Sequence, residues 1–273
     1  MFSLDPKTSG RVAERIRRVL VVDPNLASAR LVADLMKSIG TRQVAFETTE
    51  QAALIAARDM DPQIIFVERA GEGLDGESFT RRLRRSNLSC RMVPVIMITA
   101  DATATSIKGA RDAGVHEFVR KPFTSGDIIK RVEVVSLKSR NWVEALGYVG
   151  PDRRRFNSAD YKGPRKRQSE TATTPADASA ATIDQAMRII ASAHERFDTD
   201  PMQAVRALRS QVDALRGTVA SRPDMGAAIE MLGAALSEGN PTRQSLGPSV
   251  QALLKFADPA SLAPRHLAQP SAA

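Results

Sequence analysis

Between residues 17 and 138, short apolar runs alternate five times with segments of helical spacing, and that alternation leaves few folds open. "RVLVV" (18–22), "QVAFE" (43–47), "QIIFVE" (63–68), "VPVIMITA" (93–100) and "EFVR" (117–120) read as five short strands. The intervening segments, and "SGDIIKRVEVVSLK" after the last strand, carry apolar residues on one helical side. Leu31, Leu35 and Ile39 are one such set; Ile128, Val132 and Val135 are another. Gly40 and Gly114 stand where a helix should stop before the next strand. The pattern predicts an α/β domain over 15–140, with a five-stranded, doubly wound parallel sheet covered on both faces.

Beyond 140 the character changes. Residues 141–181 are basic, then Thr/Ala/Ser/Pro-rich, and are expected to form a largely flexible linker because so polar a stretch cannot offset its ordering entropy. Residues 182–257 read as a small all-α region, a bundle or a dimerising hairpin. Thr182 is the expected N-cap of its first helix, and Asp200 caps the next, with Pro201 in the first turn. Residues 258–273 read as a disordered tail.

Aromatic residues are only 4% of the chain, so the core must be aliphatic. No run approaches the roughly 18 apolar residues of a membrane span, so no membrane insertion is expected. "MFSLDPKTSG" has no apolar signal-peptide core, and the single Cys90 excludes an internal disulfide framework; the expected compartment is the cytoplasm. The net charge of +8 favours an anionic partner, with "RRRFNSADYKGPRKR" (153–167) carrying seven basic residues against one acid. Its arginines Arg153, Arg154 and Arg155 are candidates for anion binding or for pinning the chain to an acidic surface. "RRLRR" (81–85) reads as a solvated helix face. His116 and His194 have no metal-spaced partner and read as structural, and Cys90 reads as a small semi-buried thiol, the alternative being a pKa lowered by Arg91.

The strand ends converge on one site: Asp23 after "LVV", Glu68 after "IIFV", Thr99 in "MITA" and Lys121 in "VRKPF". Together with Phe118, and with Gly76 beyond the third strand, these residues make 17–138 resemble the receiver domain of two-component response regulators, with its flavodoxin-like strand order. The resemblance implies an aspartate at the third strand end that takes a phosphoryl group from a histidine kinase. It also implies acids on the first loop holding Mg²⁺, Thr99 and Phe118 as the switch, and Lys121 as charge partner. Signalling would run through the face over 103–138. Phosphoryl transfer of this kind consists of positioning and cationic stabilisation.

Two departures fall within that chemistry. Glu68 stands at the acceptor position and Pro24 in the acidic pair, leaving Asp23 alone. A glutamate sets its oxygens about 1.5 Å too far forward, and an error near 1 Å costs on the order of 100-fold in rate. The expectation is therefore a degenerate, non-enzymatic pseudo-receiver with Mg²⁺ binding weakened or absent, Asp23 and Glu68 being its only candidate ligands. Glu68 would mimic phospho-aspartate, reaching toward Thr99 and pairing with Lys121; the alternative is a decayed site with an ordinary ion pair. The expected function is a signalling adaptor acting by protein–protein contact with a histidine kinase or another regulator, in a chain that can also homodimerise. The alternatives are a phosphorelay regulator with residual acceptor activity (for instance at Asp75), a DNA-binding transcriptional regulator, and a cyclic-dinucleotide-responsive effector. Nucleic-acid binding is left open by the sequence.

Overall fold

Strands buried on both faces of a parallel sheet run apolar, as "VLVV" (19–22), "IIFV" (64–67) and "VIMI" (95–98) do, whereas the segments 43–47 and 117–120 carry polar residues at their ends. The computed structural model describes residues 6–138, 140–153, 175–218 and 223–257. In chain order the elements are α1 (Pro6–Arg15), β1 (Arg18–Val22), α2 (Leu26–Ser38), β2 (Gln43–Glu47), α3 (Glu50–Met60), β3 (Ile64–Glu68), the two-residue strands β4 (Ala70–Gly71) and β5 (Leu74–Asp75), and α4 (Gly76–Arg85). There follow β6 (Val95–Thr99), α5 (Ala104–Ala113), β7 (Glu117–Arg120), α6 (Ser125–Leu137), β8 (Trp142–Ala145) and β9 (Tyr148–Pro151). Last come α7 (Pro175–Glu195), α8 (Pro201–Arg216), α9 (Pro223–Ser237) and α10 (Arg243–Leu254). The chain divides into two compact units, Met1–Val143 with Tyr148–Ala159, and Glu144–Gly147 with Asp160–Ala273.

In the first unit the order β2-β1-β3-β6-β7, parallel throughout, is the predicted doubly wound sheet. Successive side chains alternate between its faces. Val19, Val21, Ile64, Phe66, Ile96 and Ile98 pack with Val12 of α1, Met36 of α2 and Val132 of α6. Leu20, Val22, Ile65, Val67 and Met97 pack with Ala57 of α3, Phe79 of α4 and Ala110 of α5. Each such side chain, fully buried, contributes about 1.5–3 kcal/mol. In the second unit α7 to α10 pack in sequence, and α10 returns to α7 around Met187, Ile190, Phe197, Leu208, Leu232 and Leu246. Asp200 caps α8 as predicted, accepting from the Gln203 N–H at 3.1 Å.

Three expectations need correction. First, the domain begins before residue 15: α1 packs on α6, buries Val12 and Ile16, and donates from Arg15 Nη1 to the Ser136 carbonyl at 2.6 Å. With only two apolar residues inward, its pattern is too sparse to read. Second, the segment 141–181 is not linker throughout, because β8 and β9 form a two-stranded ribbon and α7 starts at Pro175. Thr182 therefore lies inside a helix rather than at its cap; alanine-rich "PADASAAT", with proline in the first turn, is a good helix start despite its polarity. The rest of that segment, 154–174, and the tail 258–273 lie outside the described residues.

Third, "RRLRR" is not a uniformly solvated face. Arg81 and Arg82 pair at the surface with Glu77 and Glu50, whereas Arg84 is fully buried. Its guanidinium donates to the carbonyls of Gly114 (3.0 Å), Arg91 (2.6 Å) and Val93 (2.9 Å) and meets His116 Nδ1 at 3.2 Å, under the Trp142 ring. Burial draws its pKa down to about 9, which still leaves a cation at neutral pH. His116 Nδ1 also accepts from the Val95 N–H, so its proton sits on Nε2; burial, then Arg84 and Arg140, hold its pKa well below the ordinary value and keep the ring neutral. Gly114 is left-handed at φ +96°, and a Cβ there would stand 2.7 Å from the Val149 carbonyl, so the ribbon seats only against glycine.

Arg84→Met should cost about 3 kcal/mol, because it strands several buried acceptors at once. Urea unfolding followed by Trp142 emission, the single tryptophan of the chain, measures this directly. A variant as stable as the parent would show that the ribbon is held by other contacts.

Candidate functional site

Register places the site. β3 lies between β1 and β6, with Val22 opposite Val67, Glu68 opposite Ile98 and Thr99 opposite Arg120. Asp23, Glu68, Thr99 and Lys121 therefore emerge at one edge of the sheet, on four adjacent strands. Gly76 lets α4 start close by: a Cβ there would fall 2.3 Å from the Glu68 carbonyl oxygen.

Lys121, joined to Pro122 by a cis peptide bond, carries its ammonium past the end of β6. There it donates to Glu68 Oε2, and to Asp23 Oδ2 at 3.2 Å. The other carboxylate oxygens are also engaged: Glu68 Oε1 accepts the Arg69 N–H at 2.9 Å, and Asp23 Oδ1 accepts the Asn25 N–H at 2.8 Å. Side-chain exposure is 5% at Asp23, 12% at Glu68 and 25% at Lys121, so the cluster is largely dry and its attractions weakly screened. Burial works against the charge of Lys121, but the Glu68 hydrogen bond and charge, followed by Asp23, outweigh it and raise its pKa above the ordinary 10.5. Pro24 contributes no carboxylate.

The site brings together Asp23, Glu68 and Lys121, and sets the other predicted residues to different tasks. The Thr99 hydroxyl does not serve Glu68; it donates to the Asp101 carbonyl at 3.1 Å and accepts the Asp101 N–H at 3.0 Å. Phe118 is partly buried, packed on the core under α3, α4 and α5. Asp75 caps α4, accepting from the Glu77 and Ser78 N–H groups, which suits a structural role better than acceptor chemistry. Arg153 pairs with Asp112 at 2.6 Å and lies over the Tyr148 ring, so its anion is one the protein itself supplies. Arg154 and Arg155 lie outside the described residues. Cys90 is buried, and burial first of all pushes its thiol up to about 11, which overturns the lowered-pKa alternative.

A family model described as the response regulator receiver domain matches residues 19–133. Those residues form a receiver domain. Phosphate regulon transcriptional regulatory protein PhoB of Pseudomonas aeruginosa is 25% identical over 119 residues, 44% of this chain and 51% of its own. DNA-binding response regulator MtrA of Mycolicibacterium smegmatis is 26% identical over 116 residues, 42% and 49% respectively. The chain thus spans about half the length of these curated relatives. Among solved structures, a putative response regulator from Chloroflexus aurantiacus is 20% identical, with a TM-score of 0.42, over 45% of this chain and 99% of its own. Receiver domains act with histidine kinases and other signalling proteins. No described helix is long and apolar enough to cross a membrane.

Sequence reading missed Arg69 and Asp101. Arg69 Nη2 pairs with Asp101 at 3.0 Å, and Asp101 also accepts from the Thr103 N–H at 3.0 Å and from Ser106 Oγ. Ser106 first, then Thr103, lower the Asp101 pKa, with Arg69 a smaller cause. Acid at 101, two residues past Thr99, beside the base that follows Glu68, was the available signal.

Lys121→Met removes the one cation between two carboxylates and should cost about 2 kcal/mol near neutrality. Because the Lys121 pKa is raised, its contribution in the parent is complete below 10.5 and is lost only as pH rises through the folded value. Thermal unfolding of the parent should thus show no Lys121-dependent change from neutrality into mild alkali.

Proposed function

We propose that the receiver domain is a phosphorylation-independent signalling adaptor of the cytoplasm, acting by protein–protein contact and not as an enzyme. The observation that carries this reading is the Lys121 ammonium seated between Asp23 and Glu68. Here the pairing is made by side chains alone, so Glu68 stands in for the charged acceptor, with fewer oxygens and less charge.

The donor set also argues against Mg²⁺. A divalent cation of this size needs hard oxygen ligands in octahedral array. Pro24 supplies none, and the two carboxylates already share an ammonium that would repel the ion. These residues do not fit the metal, and no step of the proposed function passes through it.

Contact with the partner is assigned to the surface around β7, where Lys108, Arg120 and Lys130 are exposed and suit an acidic partner. Its flanks carry segments of this chain, α1 on α6 and β9 on α5. A DNA-binding regulator is the second reading, favoured by what PhoB and MtrA are called and by the +8 charge. Against it, the matched segment stops at the receiver domain.

Incubation with a small-molecule phosphodonor and Mg²⁺ tests the proposal. The parent should take up no label, while Pro24→Asp with Glu68→Asp, which rebuilds the acidic set, should gain it. Stoichiometric labelling of the parent, abolished by Glu68→Gln, would show a working acceptor instead.

A further inference from the structure

We propose that Arg69, and not the Thr99 hydroxyl, ties the Glu68 end of β3 to α5. This inference rests on the reading that Glu68 holds the site without phosphorylation, and adds the route by which the held state sets the neighbouring helix. Thr99 cannot be that route, since both hydrogen bonds of its hydroxyl go to the backbone of Asp101.

Arg69 has the geometry required. Its backbone N–H is shared between the Ile98 carbonyl and Glu68 Oε1, both at 2.9 Å, so its main chain is fixed by β6 and by Glu68 together. From that base the guanidinium reaches Asp101 Oδ2 at 3.0 Å and Glu77 Oε1 at 3.6 Å. Each of those acids holds one part of α5. Asp101 accepts from Thr103, the N-cap of α5, and from Ser106 in its first turn. Glu77 lies so close to the second turn that a Cβ on Gly109 would meet its Oε1 at 2.5 Å. One cation thus draws two anions together, and α5 is registered against both. Arg69 is a positioning residue: it acts on α5 through Asp101 and Glu77.

Hydrogen exchange on the intact chain, read over residues 101–109, tests this. Arg69→Gln should speed exchange there about fivefold, the scale of a partly buried ion-pair loss. Arg69→Lys should restore part of the protection, and high salt should narrow the gap between parent and Arg69→Gln. Arg69→Gln combined with Asp101→Asn should speed exchange by less than the product of the two single effects, since both remove the Arg69–Asp101 pair. If Arg69→Gln does not fold, Asp101→Asn, altered at the more exposed partner, reads the same tie. Unchanged exchange in Arg69→Gln, additive effects in the double variant, or an Arg69→Lys as loose as Arg69→Gln would each overturn the proposal. None of these results bears on labelling by the phosphodonor, so the Glu68 reading stands or falls separately.

Discussion

A lysine ammonium held between two carboxylates at the edge of a parallel sheet is the interaction on which the functional account depends. Lys121 reaches Glu68 and Asp23 across the end of a neighbouring strand, and only the register of β1, β3, β6 and β7 brings the three within hydrogen-bonding distance. In a cluster this poorly solvated, any one of the three left alone would be a costly buried charge. Together they satisfy one another. On the proposed reading, this closure opposes both a metal ion and an incoming phosphoryl group at the site. On that reading Glu68 and Pro24 act together: Glu68 keeps a carboxylate on the lysine, and Pro24 adds no second acid beside Asp23.

The scaffold around this cluster is held by other means. The two apolar layers supply most of the stability, and a second buried cation, Arg84, organises the opposite end of α5. Three carbonyls and the neutral His116 ring surround that guanidinium, and Trp142 covers it. Together with the Arg153–Asp112 pair, this makes the segment carrying Tyr148 and Arg153 part of the receiver unit. The arginine motif that suggested an anionic ligand is thereby explained, at Arg153, by intramolecular docking.

Much of this was legible in the sequence. Strand runs such as "RVLVV" and "EFVR" match their strands residue for residue, because short apolar runs between helical segments mark the strands of a parallel sheet. Asp23, Glu68, Thr99 and Lys121 all stand at the carboxyl ends of adjacent strands, Glu68 and Thr99 as the last residues of β3 and β6 and Asp23 and Lys121 just past β1 and β7. What failed was legibility of partners. Thr99 sits where predicted, yet its hydroxyl bonds Asp101, since a residue two positions on in a turn competes for it. Arg84 reads as a surface charge by type but falls on the stripe of Gly76, Phe79, Thr80 and Leu83, and position in that stripe outweighs polarity. The sparse α1 and the short ribbon have too few apolar residues to announce themselves; tertiary contacts decide them.

The central claim is that the acidic site is already satisfied from within. Two-dimensional amide NMR of the intact chain, titrated first with Mg²⁺ and then with beryllofluoride as a phosphoryl mimic, tests it most directly. The account predicts no saturable shift at residues 23, 68, 99 or 121. Saturable shifts at those positions, spreading into α5, would show that the site accepts metal and a phosphoryl analogue and that the lysine is displaced rather than fixed.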